Sequence, residues 1–148
     1  EDQDEANLAQ MTEAVLRDGY AIVQEFVAGG DEGDARIFLL EGELLECDGR
    51  PAAFRRVPTG NDPRANISVG GRSVPLEIGE LERGVIDAME PKLVADGMFF
   101  VGIDVIGGTV VEINAESPGG FQSLERLYEM DVAPTIIDAL DRRASRAS

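Results

Sequence analysis

An α+β fold, an antiparallel sheet with packed helices, is what this sequence predicts, and three observations carry the prediction. Short apolar runs with strand-like alternation, "ARIFLLEGELL" and "FVGIDVIGGTVVEIN", are broken by glycine- and acid-containing turns. Apolar residues at helical spacing lie before, between and after them. The two kinds of segment mix along a chain that shows no internal repeat and no second domain. With 148 residues and 43% apolar content, one ordinary domain with a real core is expected.

Residues 1–5, "EDQDE", read as a charged, solvated leader. From Ala6 to Asp18, Leu8, Met11, Val15 and Leu16 fall at helical spacing, and Gly19 is a plausible stop. "YAIVQEFV", Tyr20 to Val27, reads as a buried strand, and "AGGDEGD" as a loop. "ARIFLLEGELLECDGRPAAFRRVP" predicts meandering strands, with turns at Glu41-Gly42-Glu43 and Asp48-Gly49. Residues 58–75 mix Gly, Pro, Asn and Asp with Arg64 and Arg72 and predict a long loop.

Glu77 to Asp96 predicts a helix whose stripe is Ile78, Leu81, Val85, Ile86, Met89 and Leu93, bent or weakened at Pro91. A hairpin follows, Met98 to Ala115. Phe121 to Asp141 predicts helix, broken near Pro134, and residues 142–148 a frayed tail.

Composition narrows the chemistry. The formal charge of −16 argues against a nucleic-acid partner, because such binding rests on Lys and Arg against phosphates. No apolar run is long enough to span a bilayer, and no signal peptide is visible, so no membrane partner is expected. The absence of histidine removes Ser-His-Asp triads and His-based zinc sites. The single cysteine, Cys47, reads as a packing residue in a strand, and cysteine usage points to a reducing cytoplasm.

The hairpin raises the chemical question, because Asp104, Glu112 and Asn114 interrupt an otherwise apolar pair of arms. A two-residue turn at Gly107-Gly108 pairs Ile106 with Thr109 and puts Asp104 on the face of Val111. A three-residue turn pairs Val105 with Thr109 and gathers the odd-numbered apolar residues on one side. Hydrophobic matching specifies register strongly, so the odd-length turn is predicted. Asp104, Glu112 and Asn114 then share a face, where their oxygens suit a hard cation. A one-sided antiparallel sheet with a solvated polar face gives the same pattern.

The order of four stretches, "IVQEFV", "GDARIFLLEGELL", "RRVPTGNDPRANISVGGR" and "FVGIDVIGGTVVEINAESP", resembles the C-terminal part of the ATP-grasp domain of bacterial glutathione synthetases. The similarity runs from about Ala6 to Leu140. It implies the C-terminal subdomain of an ATP-grasp fold over residues 6–141. It also implies a fragment of an ATP-dependent, ADP-forming carboxylate–amine ligase that works through an acyl-phosphate. ATP and Mg²⁺, with Mn²⁺ as a substitute, are the implied cofactors. A small carboxylate and an amine are the implied substrates.

Residue by residue, the resemblance makes Gln24, Glu25, Phe26 and Val27 a hinge strand against adenine. It places Asp34 and Asn66 near the nucleotide, Asn66 in a glycine-rich loop with Gly70, Gly71 and Arg72. Arg36 and Arg56 match arginines that hold phosphates and the acyl-phosphate, so both are candidate catalytic residues. Asp104, Glu112 and Asn114 match magnesium ligands. Ser117, Pro118, Gly119 and Gly120, with Arg56, fall where the carboxylate substrate is gripped.

Each has a plainer alternative: Arg36 and Arg55-Arg56 as exposed strand charges, "SVGGR" as a turn, Ser117 to Gly120 as a strand-to-helix connection. Two departures stand out. The lysines that the first ATP-grasp subdomain supplies are absent, Lys92 being the only lysine, and the chain opens on Glu1 without Met. A piece of a longer ligase, weakly active or inactive alone, is therefore expected, with the missing N-terminal part as its partner and a homo-oligomer open. Second, "SPGGFQSLERLY" replaces the usual threonine and small residue after Ser-Pro, which leaves the substrate open. Another ATP-grasp ligase, adding glutamate or peptide, and a non-catalytic ATP-grasp module are the alternatives.

Overall fold

The computed structural model describes residues 2–17, 19–20, 23–25, 27–58 and 72–146. Helix α1 (Asp2–Arg17) comes first, and a 3₁₀ turn (Gly30–Glu32) leads into β1 (Asp34–Leu40). Then follow the short strands β2 (Glu43–Leu44), β3 (Glu46–Cys47) and β4 (Arg50–Pro51), and the longer β5 (Ala53–Val57). Next are β6 (Arg72–Pro75), α2 (Glu80–Ala95), β7 (Phe100–Ile106) and β8 (Thr109–Asn114). Helices α3 (Phe121–Tyr128) and α4 (Ala133–Arg146) complete the order. The turns at 41–42 and 48–49 lie where the glycines predict them.

The main sheet runs β6-β5-β1-β7-β8, with β2 extending beside β1, and every pairing is antiparallel. Strand alternation gives it two unlike faces. Ala35, Ile37, Leu39, Ala53, Val101, Ile103 and Val105 face α2 and pack with Ile86 and Leu93. The α2 stripe starts lower than its spacing predicts: Val85 and Met89 are half-buried, while Leu81 is exposed. The helix runs continuously through Pro91 and begins at Glu80, where the Gly79 N–H donates to the Glu82 carboxylate at 3.1 Å. On the other face, Phe38 and Phe54 form a second core with Leu124, Met130 and Val132. The rings of Phe100 and Phe121 lie 6.0 and 5.6 Å from that of Phe38. This apolar patch fills only one end of the face. Charged residues hold the other.

The β7–β8 register corrects the predicted turn. Ile106 pairs with Thr109, so the turn has two residues, and φ is positive at both Gly107 and Gly108. That form matches the strand twist. Hydrophobic matching is met instead by a β-bulge: Val105 pairs with Val110, Asp104 with Glu112, and Val111 has no partner on β7. Val110, not Val111, therefore joins the α2-facing core. Asp104, Glu112 and Asn114 still share one face.

Four boundaries differ from expectation. Helix α1 takes in residues 2–5. Its stripe of Leu8, Met11, Val15 and Leu16 is exposed. Residues 20, 23–25 and 27 are not a strand: Tyr20 and Val23 are exposed, and no described strand pairs with them. Residues 72–75 of the predicted loop form β6, with Ser73 buried; residues 59–71 lie outside the described residues. Helix α4 continues through residues 142–146, where its arginines favour a helix C-terminus and Arg143 sits over the Phe99 ring at 5.4 Å. Cys47 is half-buried in β3, 3.5 Å from the Thr135 hydroxyl.

Tyr128 fastens the end of α3 to the sheet. Its hydroxyl accepts from the Leu76 N–H at 2.9 Å and donates to the Ala53 carbonyl at 3.0 Å. Tyr128→Phe leaves both backbone groups short of a partner and is expected to lower stability by about 1–3 kcal/mol. Urea denaturation reads this directly; an unchanged midpoint contradicts it.

Candidate active site

The charged end of the sheet is assembled from five strands. Asp34 lies opposite Arg56, and Arg56 opposite Ser73. Arg36 lies opposite Asp104, which lies opposite Glu112 on its other side. Asn114 lies opposite Gly102. All the side chains in this row project from the face that carries Phe38 and Phe54. The β1–β5 and β1–β7 pairings thus place opposite charges side by side, which stabilises a sheet, while β7 and β8 set two carboxylates together.

The arginines and carboxylates form a chain of ion pairs. Arg36 grips Asp104 with Nε and Nη2, the Nη2 bond being 2.9 Å, and donates from Nη1 to the Gly119 carbonyl at 2.9 Å. Arg56 Nε donates to Asp34 at 2.9 and 3.1 Å, and Nη2 also bonds Asp34. The same Nη2 lies 2.7 Å from Asp104. Asp34, Arg36 and Asp104 are all buried, Asp104 to 1% exposure. At the far end, Ser73 and Ser123 share a 2.9 Å hydrogen bond that ties β6 to α3.

These contacts shape the titration of the cluster. Burial works to lower the Arg56 pKa, but its hydrogen bond to Asp34 and the charge of Asp104 outweigh this, so the value is raised and the guanidinium stays charged. Glu112 is pushed above the ordinary carboxylate range by loss of water, then by its hydrogen bond to Asp104 and the charge there; Arg36 and Arg56 offset part of this.

Two cavities meet at this row. The larger, about 680 Å³, is lined by Gln24, Glu25, Val27, Asp34, Asp104 and an apolar wall from Ile106 to Val111. The smaller, about 280 Å³, is lined by Arg36, Phe54, Asn114, Gly119 and Gly120. Arg56 and Glu112 line both. The smaller cavity suits a carboxylate in chemistry, since two guanidinium groups border it.

The residues present also fit a hard divalent cation. Asp104, Glu112 and Asn114 offer oxygen donors from adjacent positions on one face. Asp104 and Glu112 stand opposite one another on neighbouring strands, a crowding of carboxylates that a cation relieves. Asn114 Nδ2 is buried and has no hydrogen-bond partner among the described residues, so that amide is not committed through its nitrogen.

The structure therefore brings together Gln24, Glu25, Val27, Asp34, Arg36, Arg56, Asp104, Glu112, Asn114, Gly119 and Gly120. Gln24 reaches the row by side chain, donating to the Val111 carbonyl at 3.2 Å. Ser117 and Pro118 line neither cavity; Pro118 instead packs where a Cβ on Gly102 would sit, at 3.0 Å. Phe26, Asn66, Gly70 and Gly71 lie outside the described residues, and Arg72 is an exposed residue of β6.

Sequence reasoning missed Gly33 and the apolar wall. Gly33 has φ +89, and a Cβ there would lie 1.9 Å from the Arg56 carbonyl oxygen. The signal was a glycine placed directly before the strand that carries Asp34. Gly33→Ala is expected to cost about 1–3 kcal/mol and to displace the Asp34–Arg56 pair. Thermal unfolding and a crystal structure of the variant check both; a wild-type Tm contradicts the backbone contact.

Comparison with known proteins gives concordant results. The family model described as prokaryotic glutathione synthetase, ATP-grasp domain, matches residues 1–129. The chain is 37% identical over 142 residues to the glutathione synthetase of Synechococcus elongatus, covering 95% of this chain and 42% of that protein. It is 41% identical over 123 residues to that of Thermosynechococcus vestitus, covering 82% and 37%. It is 33% identical over 139 residues to that of Vibrio cholerae, covering 93% and 42%. The chain thus spans less than half the length of each of these relatives.

Proposed function

The chain belongs to the ATP-grasp domain family of prokaryotic glutathione synthetases, and from that premise we propose that it forms part of an ATP-dependent, ADP-forming carboxylate–amine ligase. One observation supports this reading above the others: Arg56 and Glu112 stand where the two cavities join. The larger cavity takes the nucleotide, with the backbone of Glu25 and Val27 beside adenine. The smaller takes the substrate carboxylate against Arg36, Gly119 and Gly120. A carboxylate oxygen attacks the terminal phosphorus at the junction, ADP leaves, and the amine displaces phosphate from the acyl-phosphate.

The chemistry requires positioning and neutralised charge more than covalent help. Arg56 binds the anionic oxygens of the transferring phosphoryl group and carries a charge that its carboxylate neighbours keep in place. Arg36 orients the Gly119 carbonyl and, through it, the backbone that closes the smaller cavity. Asp104, Glu112 and Asn114 hold Mg²⁺, or Mn²⁺ in its place, which neutralises and polarises the phosphates when bound. The remainder of the ligase supplies the other wall of the nucleotide cleft.

No helix among the described residues is long and apolar enough to cross a membrane, and we place the ligase in the cytoplasm. The test is ADP release by the full-length protein given ATP, Mg²⁺, a γ-glutamyl carboxylate substrate and glycine. ADP formation that needs both the carboxylate and the amine is the expected result. A full-length protein that binds ATP with Mg²⁺ yet forms no ADP with any carboxylate–amine pair overturns the ligase reading. Calorimetric titration of this chain with ATP, with and without Mg²⁺, then measures how much of the site this part retains.

A further inference from the structure

We propose that Asp34 is a positioning residue for Arg56: it keeps the guanidinium over the junction of the two cavities when Asp104 turns to a cation. The inference rests on the reading of the site given above. The resemblance placed Asp34 near the nucleotide. The geometry gives it a different task.

Arg56 has two carboxylate neighbours, and they hold it unequally. Asp34 takes Nε at 2.9 and 3.1 Å and Nη2 as well, a two-nitrogen grip. Asp104 takes Nη2 alone, at 2.7 Å. Asp104 is also claimed by two nitrogens of Arg36 and faces Glu112 across the strand pair. It is the carboxylate with competing partners, so its hold on Arg56 is the one that a cation weakens. Asp34 sits apart from the Asp104–Glu112–Asn114 group, one strand further along the sheet.

The backbone fixes Asp34 in this place. It lies directly opposite Arg56 in the β1–β5 ladder. Gly33 brings the chain against the Arg56 carbonyl so closely that no side chain fits between them. Asp34 is buried and lines the nucleotide cavity, yet its negative charge repels phosphate. Direct phosphate binding by Asp34 is therefore excluded on charge, whereas support of a phosphate-binding arginine is favoured. A free arginine side chain samples many rotamers, and fixing it opposes each bond it makes. A two-nitrogen carboxylate grip fixes it beforehand.

The test is nitrogen-15 NMR of this chain, reading exchange of the Arg56 Nε–H with water, with the signal assigned by its loss in Arg56→Lys. In the native chain, Mg²⁺ is expected to shift the side-chain carboxyl carbons of Asp104 and Glu112 while the Arg56 Nε–H stays protected. Asp34→Asn is expected to speed that exchange at least tenfold with Mg²⁺ present, and Asp34→Glu to restore most of the protection. Loss of Nε–H protection on adding Mg²⁺ to the native chain overturns the proposal, and needs no variant to fold. So does an Asp34→Asn chain whose Nε–H exchanges as slowly as the native one. If Mg²⁺ leaves the two carboxyl signals unmoved, the cation assignment fails instead, and the Asp34→Asn comparison without Mg²⁺ decides the role of Asp34: tenfold faster exchange supports it and equal exchange overturns it.

Discussion

Glu112→Gln in the full-length ligase is expected to lower turnover by at least about 10²-fold, the usual cost of removing one group aimed at transition-state charge, with the fold intact. Among the described residues Glu112 is the only carboxylate that borders both cavities, and it is exposed on β8, outside the apolar cores. The substitution keeps its volume and removes its charge. Stability should move in an informative direction. Loss of water and the neighbouring Asp104 raise the folded-state pKa of Glu112. A raised carboxyl pKa favours the fold below the ordinary glutamate range, and that contribution is lost as pH rises through the raised value. Above it, ionised Glu112 opposes folding. Metal-free Glu112→Gln should therefore show a flatter Tm against pH just above the ordinary glutamate range, and at neutral pH a Tm equal to or above the native one. Activity and Tm falling together at neutral pH would argue that Glu112 is a structural residue.

The largest stability loss is expected at Asp104. Asp104→Ala removes the carboxylate that answers two nitrogens of Arg36 and one of Arg56. Arg36 stays buried on β1, with the Gly119 carbonyl as its remaining acceptor among the described residues. Stranding a buried charge in this way costs about 3–5 kcal/mol. Asp104→Asn, which keeps the volume and one acceptor oxygen, should cost less. Urea denaturation of the two variants beside the native chain gives the comparison. Equal midpoints for Asp104→Ala and the native chain would mean that Arg36 finds water or another partner, and the buried ion pairs would lose their structural role.

How much of this was legible in the sequence depends on the distance over which each feature is decided. The convergence of Asp104, Glu112 and Asn114 was legible because matching the apolar faces within one hairpin settles it. The turn length was not, since a longer turn and a bulge satisfy the same hydrophobic matching. Residues 20–27 have strand composition, but composition does not say whether a sheet edge is available to them. Strand β6 was hidden in a stretch whose glycines and prolines signal loop, and it forms because Val74 and Ser73 meet Arg55 and Arg56. The ion pairs of Arg36 with Asp104 and of Arg56 with Asp34 join residues 68 and 22 positions apart. No local pattern records which carboxylate an arginine meets at that range. Family resemblance supplied the residues but not the links between them.

Val111 separates two jobs that the hairpin performs at once. It is surplus to the ladder, so a chain shortened by this single residue can still set Ile106 against Thr109, Val105 against Val110 and Asp104 against Glu112. Yet its carbonyl is where the Gln24 amide is moored. Trimming it would leave the row of oxygens aligned while casting loose the segment beside the larger cavity. A one-residue deletion thereby becomes a clean cut between aligning the row of charges and mooring that segment, which point substitutions along β8 cannot make.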